Sequence, residues 1–210
     1  HDVRNDAGEQ RVVRATKYDG VDPRLDERIQ VLVRRGQHLG AGRHARLDEV
    51  WLVLTPRNPF KQGETLASDA HRFAMLQLAV AGRSGLAASD VELGMPQPNY
   101  TVDTLELLAT RHPEHQFALL MGEDNLAGFS RWRNPERILE LAELVVYPRT
   151  DSGLDPESSW LQHPRVRQVD DALMARSSTS VRQSVAEGSE TLDDLPAAVA
   201  AYIRDHDLYR

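Results

Sequence analysis

Five consecutive apolar residues, Phe117 to Met121, run without interruption into Gly122, an acidic pair, Glu123 and Asp124, and then a helix-like spacing that carries Phe129 and Trp132. An unbroken apolar run ended by glycine is the pattern of a strand buried on both faces, which requires helices packed above and below a sheet. In open α/β sheets ligands gather beyond the carboxyl ends of such strands, so Gly122 to Asn125 become candidates for a binding wall. Taken alone, the same residues fit a plain strand–turn–helix junction in which the carboxylates cap a helix and the tryptophan is core. The rest of the chain has to discriminate.

Other elements fall into place around that stretch. Val50 to Leu54 (V-W-L-V-L) is a second buried-strand pattern, stopped at Thr55-Pro56-Arg57-Asn58-Pro59-Phe60-Lys61, where two prolines forbid continued ladder pairing. Helical spacing follows over Leu66 to Ala81, with Ala70, Phe73, Leu76 and Val80 on one face. Val91-Glu92-Leu93 predicts a short strand, Gly94 to Asn99 a loop, and Thr101 an N-cap for a helix bearing Val102, Leu105 and Leu108. After the opening strand, Asn134-Pro135 predicts a helix start that Ile138, Leu139 and Ala142 continue. Leu144 to Tyr147 predicts a strand, 150–164 a polar loop and Val166 to Val169 an edge strand. Helices are expected over Ser177 to Glu187, stopped by Gly188, and from about Asp194, with Leu195, Val199, Tyr202 and Ile203 on one face. Strands alternating with helices from residue 47 to the end predict an α/β chain: a Rossmann-like doubly wound, mostly parallel sheet with helices on both faces.

Composition narrows the function classes. The chain holds no cysteine, which excludes disulfides, thiolate metal sites and cysteine nucleophiles. No apolar run approaches the roughly 20 residues of a membrane helix, and no signal-peptide pattern opens the chain, so a cytoplasmic protein without membrane partners is expected. A net charge of −7 argues against a nucleic-acid surface, which demands concentrated basic charge. The sequence carries no signal for an oligomeric state.

Three further clusters sit where the predicted strands end. Ser177-Ser178-Thr179-Ser180-Val181-Arg182 combines hydroxyls, free N–H groups at a helix start and an arginine one turn in, an arrangement suited to phosphate and equally to an N-cap beside a surface arginine. Lys61, one of two lysines in the chain, and Asn58 could meet a phosphate from a proline-stiffened turn. Asn99 to Leu105 brings an aromatic ring and hydroxyls to a helix start, and Trp132 and Arg133 add an aromatic platform and a cation. Their convergence on strand ends of one sheet favours a nucleotide-type site.

The blocks T-P-R-N-P-F-K-Q, Y-T-V-D-T-L, L-M-G-E-D-N-L-A-G-F-S-R-W and S-S-T-S-V-R, in that order, with the terminal Y-I-R-D-H-D-L-Y-R, resemble bacterial nicotinate-nucleotide adenylyltransferase, a nucleotidyltransferase family with a Rossmann-like fold. The resemblance covers about residues 47–210. It implies transfer of AMP from ATP, with Mg2+, to nicotinate mononucleotide, giving deamido-NAD and pyrophosphate. By motif, Ser178, Thr179 and Arg182 would bind the ATP phosphates, and Asn58 and Lys61 would lie near the phosphates or the mononucleotide. Tyr100, Thr101 and Trp132 would hold the nicotinate ring, and Gly122 and Asp124 would contact nucleotide sugar or base.

Residues 1–46 break this pattern. The family opens with a short strand running into G-S-F-N-P-x-H-x-G-H, whose histidines contact the ATP phosphates; here Gln37 to His44 offers only His38 and His44, at another spacing. The segment reads as irregular or partly helical, with Arg11–Ala15 and Ile29–Val33 as weak strand candidates, so the sheet is expected to lack a central member. Nine of the chain's 23 arginines crowd into these residues, and with the abrupt change at residue 47 they suggest a shifted reading frame or mistaken gene start. The alternatives are a nucleotide-binding paralogue that catalyses poorly, and an adenylyltransferase with another acceptor such as nicotinamide mononucleotide or phosphopantetheine.

Overall fold

The computed structural model describes residues 29–35, 48–56, 67–149, 152–169 and 195–209. Six strands form one sheet: β1 (Ile29–Arg35), β2 (Glu49–Leu54), β3 (Leu86–Ser89), β4 (Gln116–Gly122), β5 (Ala142–Tyr147) and β6 (Val166–Gln168), in the order β3-β2-β1-β4-β5-β6. The described helices are α1 (Asp69–Val80), α2 (Thr101–Arg111), α3 (Glu123–Ala127), α4 (Pro135–Leu141) and α5 (Ala197–Asp205). None is long and apolar enough to cross a membrane.

The alternation of each central strand explains why helices cover both faces. Val50, Leu52 and Leu54 of β2, Ala118 of β4 and Val145 of β5 pack with Met75, Leu76 and Ala79 of α1 and Val199, Ala200 and Ile203 of α5. The intervening residues, Val53, then Phe117, Leu119 and Met121, then Ala142, Leu144 and Val146, pack with Val102, Leu105 and Leu108 of α2 and Ile138 and Leu139 of α4. Two cores therefore share one sheet, and full burial of each Leu or Phe contributes roughly 1.5–3 kcal/mol. The expected doubly wound architecture is present.

β1 is the departure from a uniformly parallel sheet. It pairs antiparallel with both β2 and β4, whereas β2–β3, β4–β5 and β5–β6 are parallel, so five of the six strands share one direction. The expected gap at the centre is thus filled, and Ile29–Arg35 is strand rather than irregular or helical chain. β-Branched Ile29, Val31 and Val33 alternate in this segment and suit a strand; the flanking charges Asp26, Glu27, Arg34 and Arg35 mask that signal in the sequence.

Four local expectations are corrected. Val91–Gly94 is a 3-10 turn, not a strand, because neighbours Val91 and Glu92 are both buried and a strand would send them to opposite faces. The strand is Leu86–Ser89, set off by a turn in which Gly85 has φ +81°. Thr101 is the first helical residue rather than the cap, which is Tyr100. The pattern through Phe129 and Trp132 is not one helix: α3 ends at Ala127, and a 3-10 turn, Phe129–Arg131, delivers Trp132 in an extended conformation. α1 is also rotated from the expected face, exposing Ala70 and burying Arg72. Helix α4 begins as expected, with Pro135 in its first turn after Asn134, and β6 is the edge strand.

Candidate functional site

The five co-directional strands aim their carboxyl ends at one edge of the sheet, and described candidate residues collect there. β4 ends on Gly122, paired with Tyr147 of β5. From these two ends the chain turns into Asp124 on one side and Arg149 on the other, and the Arg149 Nη1 lies 3.6 Å from Asp124 Oδ2. The Arg149 amide donates to Glu123 Oε2 at 3.2 Å, which fixes the turn after β5 against the turn after β4. Gly122 is required by this approach: an added Cβ would meet Asp124 Oδ1 and lie 2.6 Å from Arg149 Cδ, although the backbone, at φ −79°, would accept any residue.

A second group flanks the first. Tyr100, 40% exposed as a residue, occupies the N-cap position of α2, and the Arg133 guanidinium lies over its ring, 4.6 Å from the centroid. Arg133 also reaches Asp103 at 3.6 Å. Trp132, half-buried, leans on Phe129 with ring centroids 5.5 Å apart, and Phe129 meets Trp160 edge-on at 5.1 Å. Thr101 is buried beneath Tyr100 in the first turn of α2. An exposed aromatic ring with a cation on its face is chemistry that suits a flat, anionic ring.

Glu92 supports that wall from below. It is fully buried; its Oε1 accepts from Thr104 Oγ1 at 2.7 Å, and its main-chain carbonyl accepts from Asn99 Nδ2 at 2.9 Å. Its Oε2 is buried without a partner among the described residues. Burial pushes the carboxyl above the ordinary carboxylate range, and the side chains of Thr104, Thr55 and Asn99 oppose it only in part. Glu92 thus ties the Asn99 side chain to Thr104 of α2. Buried Arg72 donates to the Thr55 carbonyl at 2.9 Å and to Asp69 at 2.7 Å, securing the end of β2 to α1.

Of the residues singled out in the sequence, Tyr100, Thr101, Gly122, Asp124 and Trp132 stand at this edge. Asn58, Lys61, Ser178, Thr179 and Arg182, like His38 and His44, lie outside the described residues. Sequence reasoning missed Glu92, Arg72 and Arg149. Arg149 had a signal in Pro148-Arg149 directly after a strand; Glu92 had one in its apolar neighbours Val91 and Leu93.

The cytidylyltransferase-like family matches residues 40–184. A protein of Flavobacterium johnsoniae named "probable nicotinate-nucleotide adenylyltransferase" is 42% identical over 167 residues, covering 79% of this chain and 86% of its own length. A protein of the same name from Cytophaga hutchinsonii is 44% identical over 139 residues, 66% of this chain and 71% of its own. Among solved structures, Plasmodium falciparum nicotinic acid mononucleotide adenylyltransferase complexed with NaAD is similar in fold, with a TM-score of 0.60, 18% identity, and coverage of 79% of this chain and 84% of that one.

Proposed function

Because this chain belongs to the cytidylyltransferase-like family, among its nicotinate-nucleotide adenylyltransferases, we propose that it transfers the adenylyl group of ATP to nicotinate mononucleotide, forming deamido-NAD and pyrophosphate in the cytoplasm. A phosphate oxygen of the mononucleotide attacks the ATP α-phosphorus in line, one P–O bond forms, and the bond to pyrophosphate breaks. No covalent enzyme intermediate is needed, so the work of the protein is positioning and charge stabilisation. Magnesium enters as part of the ATP substrate; as a hard cation it keeps waters and binds through substrate phosphates.

Tyr100, Thr101 and Trp132 hold the nicotinate ring, and Gly122 and Asp124 receive sugar or base. Asn58 and Lys61 act near the phosphates or the mononucleotide, and Ser178, Thr179 and Arg182 bind the ATP phosphates. The observation that carries this assignment is the convergence of the Tyr100–Arg133 stack, Trp132 and the Asp124–Arg149 pair on the carboxyl ends of β4 and β5.

The test is pyrophosphate release from ATP with nicotinate mononucleotide, alongside nicotinamide mononucleotide and phosphopantetheine. Turnover with nicotinate mononucleotide as preferred acceptor is expected; preference for either of the others overturns the substrate assignment. Trp132→Ala should raise KM for the mononucleotide by about tenfold or more, since aromatic stacking on a base contributes roughly 1–3 kcal/mol.

A second reading, nucleotide binding with little turnover, is favoured by the polarity of β1. In that orientation its amino end, Ile29, reaches the site edge opposite Leu54, while its carboxyl end, Arg35, pairs with Gln116 at the other edge. Binding of ATP without pyrophosphate release would support it. We further propose that residues 1–46 come from a shifted frame or mistaken start, even though Ile29–Arg35 pairs as β1 into the sheet of the nucleotidyltransferase domain at 47–210. Retranslating the upstream DNA checks this, and absence of G-S-F-N-P-x-H-x-G-H in the other two frames sinks it.

A further inference from the structure

At the opposite edge of the sheet, four residues join α2 to β4: His112, Pro113, Glu114 and His115. The His115 amide donates to the His112 carbonyl at 3.0 Å, closing a tight turn that Pro113 stiffens. This brings the two imidazoles face to face, with planes 4° apart and centroids 5.2 Å apart. Trp51 of β2 stands edge-on to both rings, at 5.1 Å from His112 and 6.2 Å from His115, and Phe117 stands edge-on to His115 at 6.3 Å. The His115 side chain is 7% exposed, and its Nε2 lies 3.1 Å from Glu114 Oε1, while Glu114 is 54% exposed. One nitrogen from each histidine and one carboxylate oxygen lie within 4.8 Å of one another.

We propose that His112, Glu114 and His115 bind a borderline divalent cation of the Zn2+, Co2+ or Ni2+ class. Two imidazole nitrogens and one carboxylate oxygen are the donors such ions select, whereas Mg2+ and Ca2+ demand oxygen alone. With metal–ligand bonds of roughly 2.0–2.2 Å, tetrahedral ligand atoms stand about 3.4 Å apart. The set is therefore open by about 1 Å or slightly more, and because each nitrogen lone pair lies in its ring plane, binding requires one imidazole to turn out of the parallel stack as the exposed Glu114 side chain swings inward. Trp51 and Phe117 provide an apolar wall on one side, and solvent supplies the remaining ligand position. A bound ion would clamp the end of α2 to the start of β4. The competing explanation is a simple His115–Glu114 ion pair lying on an aromatic floor.

The two explanations separate by titration of the full chain, stripped with chelator, with Zn2+ and Co2+ in the absence of nucleotide. Expected results are one calorimetric site of about micromolar affinity and quenching by Co2+ of the fluorescence of Trp51, which adjoins both imidazoles. His112→Ala with His115→Ala should weaken Zn2+ binding about 100-fold, and Glu114→Gln about tenfold. If that double variant does not fold, His112→Gln alone, which leaves His115 on its partners, carries the test. His71→Ala should change nothing, although His71 and His206 form another close histidine pair, 5.2 Å between centroids. No saturable site below about 1 mM, affinity unchanged in the His112 variants, or affinity lost with His71→Ala overturns the proposal. The readout is metal binding itself, so its failure leaves the adenylyl-transfer assignment untouched.

Discussion

Glu92 and Glu114 lie in turns at opposite ends of α2, and they differ in nearly every physical respect. Glu92, ahead of the helix, is fully buried, takes a hydroxyl hydrogen bond from Thr104, and is driven toward its neutral form by burial. Glu114, beyond the helix, is 54% exposed and touches the imidazole of His115. The first is built to hold a loop in place, the second to remain available. Position relative to strand direction explains the division: α2 starts at the edge where β2 to β5 end, the edge at which ligands of such sheets gather, so a fixed loop there suits a binding wall. At the other edge a turn need only connect.

Substitution of Gly122 is the strongest way to break this comparison. Gly122→Ala leaves an ordinary φ of −79° in place but drives a methyl group into Asp124 and the Arg149 side chain. The displaced atoms belong to flexible side chains, so the melting temperature should fall by only about 2–4 °C, the equivalent of roughly 1 kcal/mol in a domain of this size. Pyrophosphate release should fall about 100-fold, because misplacement of positioning groups by about 1 Å carries that penalty. Parallel loss of fold and activity would mean that Gly122 serves packing alone.

Substitution of Glu92 ranks next. Glu92→Ala removes the acceptor of a buried hydroxyl and opens a cavity, and should cost about 2–4 kcal/mol by urea unfolding, with a raised KM for the mononucleotide. Glu92→Gln keeps the shape of the protonated side chain and should cost less than about 1 kcal/mol below the ordinary glutamate range. The sign of the pH dependence follows from the raised folded-state value. The folded chain holds this proton more tightly than the unfolded chain, so wild-type stability is full below the ordinary glutamate range and declines as pH rises through the raised value. Glu92→Gln cannot ionise, so unfolding measured against pH should show the variant gaining on the wild type across that window. A constant gap would mean that folding does not raise the Glu92 value.

These residues also show what a sequence can and cannot reveal. The Phe117–Gly122 strand, its burial and its opening onto Asp124 were legible because side-chain pattern alone encodes them. Strand direction is different: alternation reads the same from either end, so the reversed polarity of β1 has no signature in Ile29–Arg35. β3 was missed because Leu-Ala-Ala-Ser is short and weakly apolar, while the stronger triad Val91-Glu92-Leu93 owes its character to a buried turn. Tyr100, Thr101 and Trp132 were legible as chemistry in loops. The part of the site made by distant partners, Glu92 beneath Tyr100 and Arg149 across Gly122, depends on contacts that only the fold creates.

Two arginines define the small end of the scale. Arg137 has the better ion pairs: its Nε lies 3.0 Å from Glu106 and its Nη1 2.7 Å from Glu140, which raises its pKa, whereas Arg149 and Asp124 are 3.6 Å apart. Bond length alone would rank Arg137 first. Yet its side chain and both its partners are about half exposed, and water and salt screen such pairs almost completely. Arg149, 33% exposed, spans Gly122 at the strand ends where substrate charge would develop. Arg149→Ala should therefore lower kcat/KM about tenfold with little change in melting temperature, as expected for one charged contact. Arg137→Ala should leave both unchanged within error at physiological salt. If Arg137→Ala lowered activity and Arg149→Ala did not, the division between the site edge and the outer helical surface would fail.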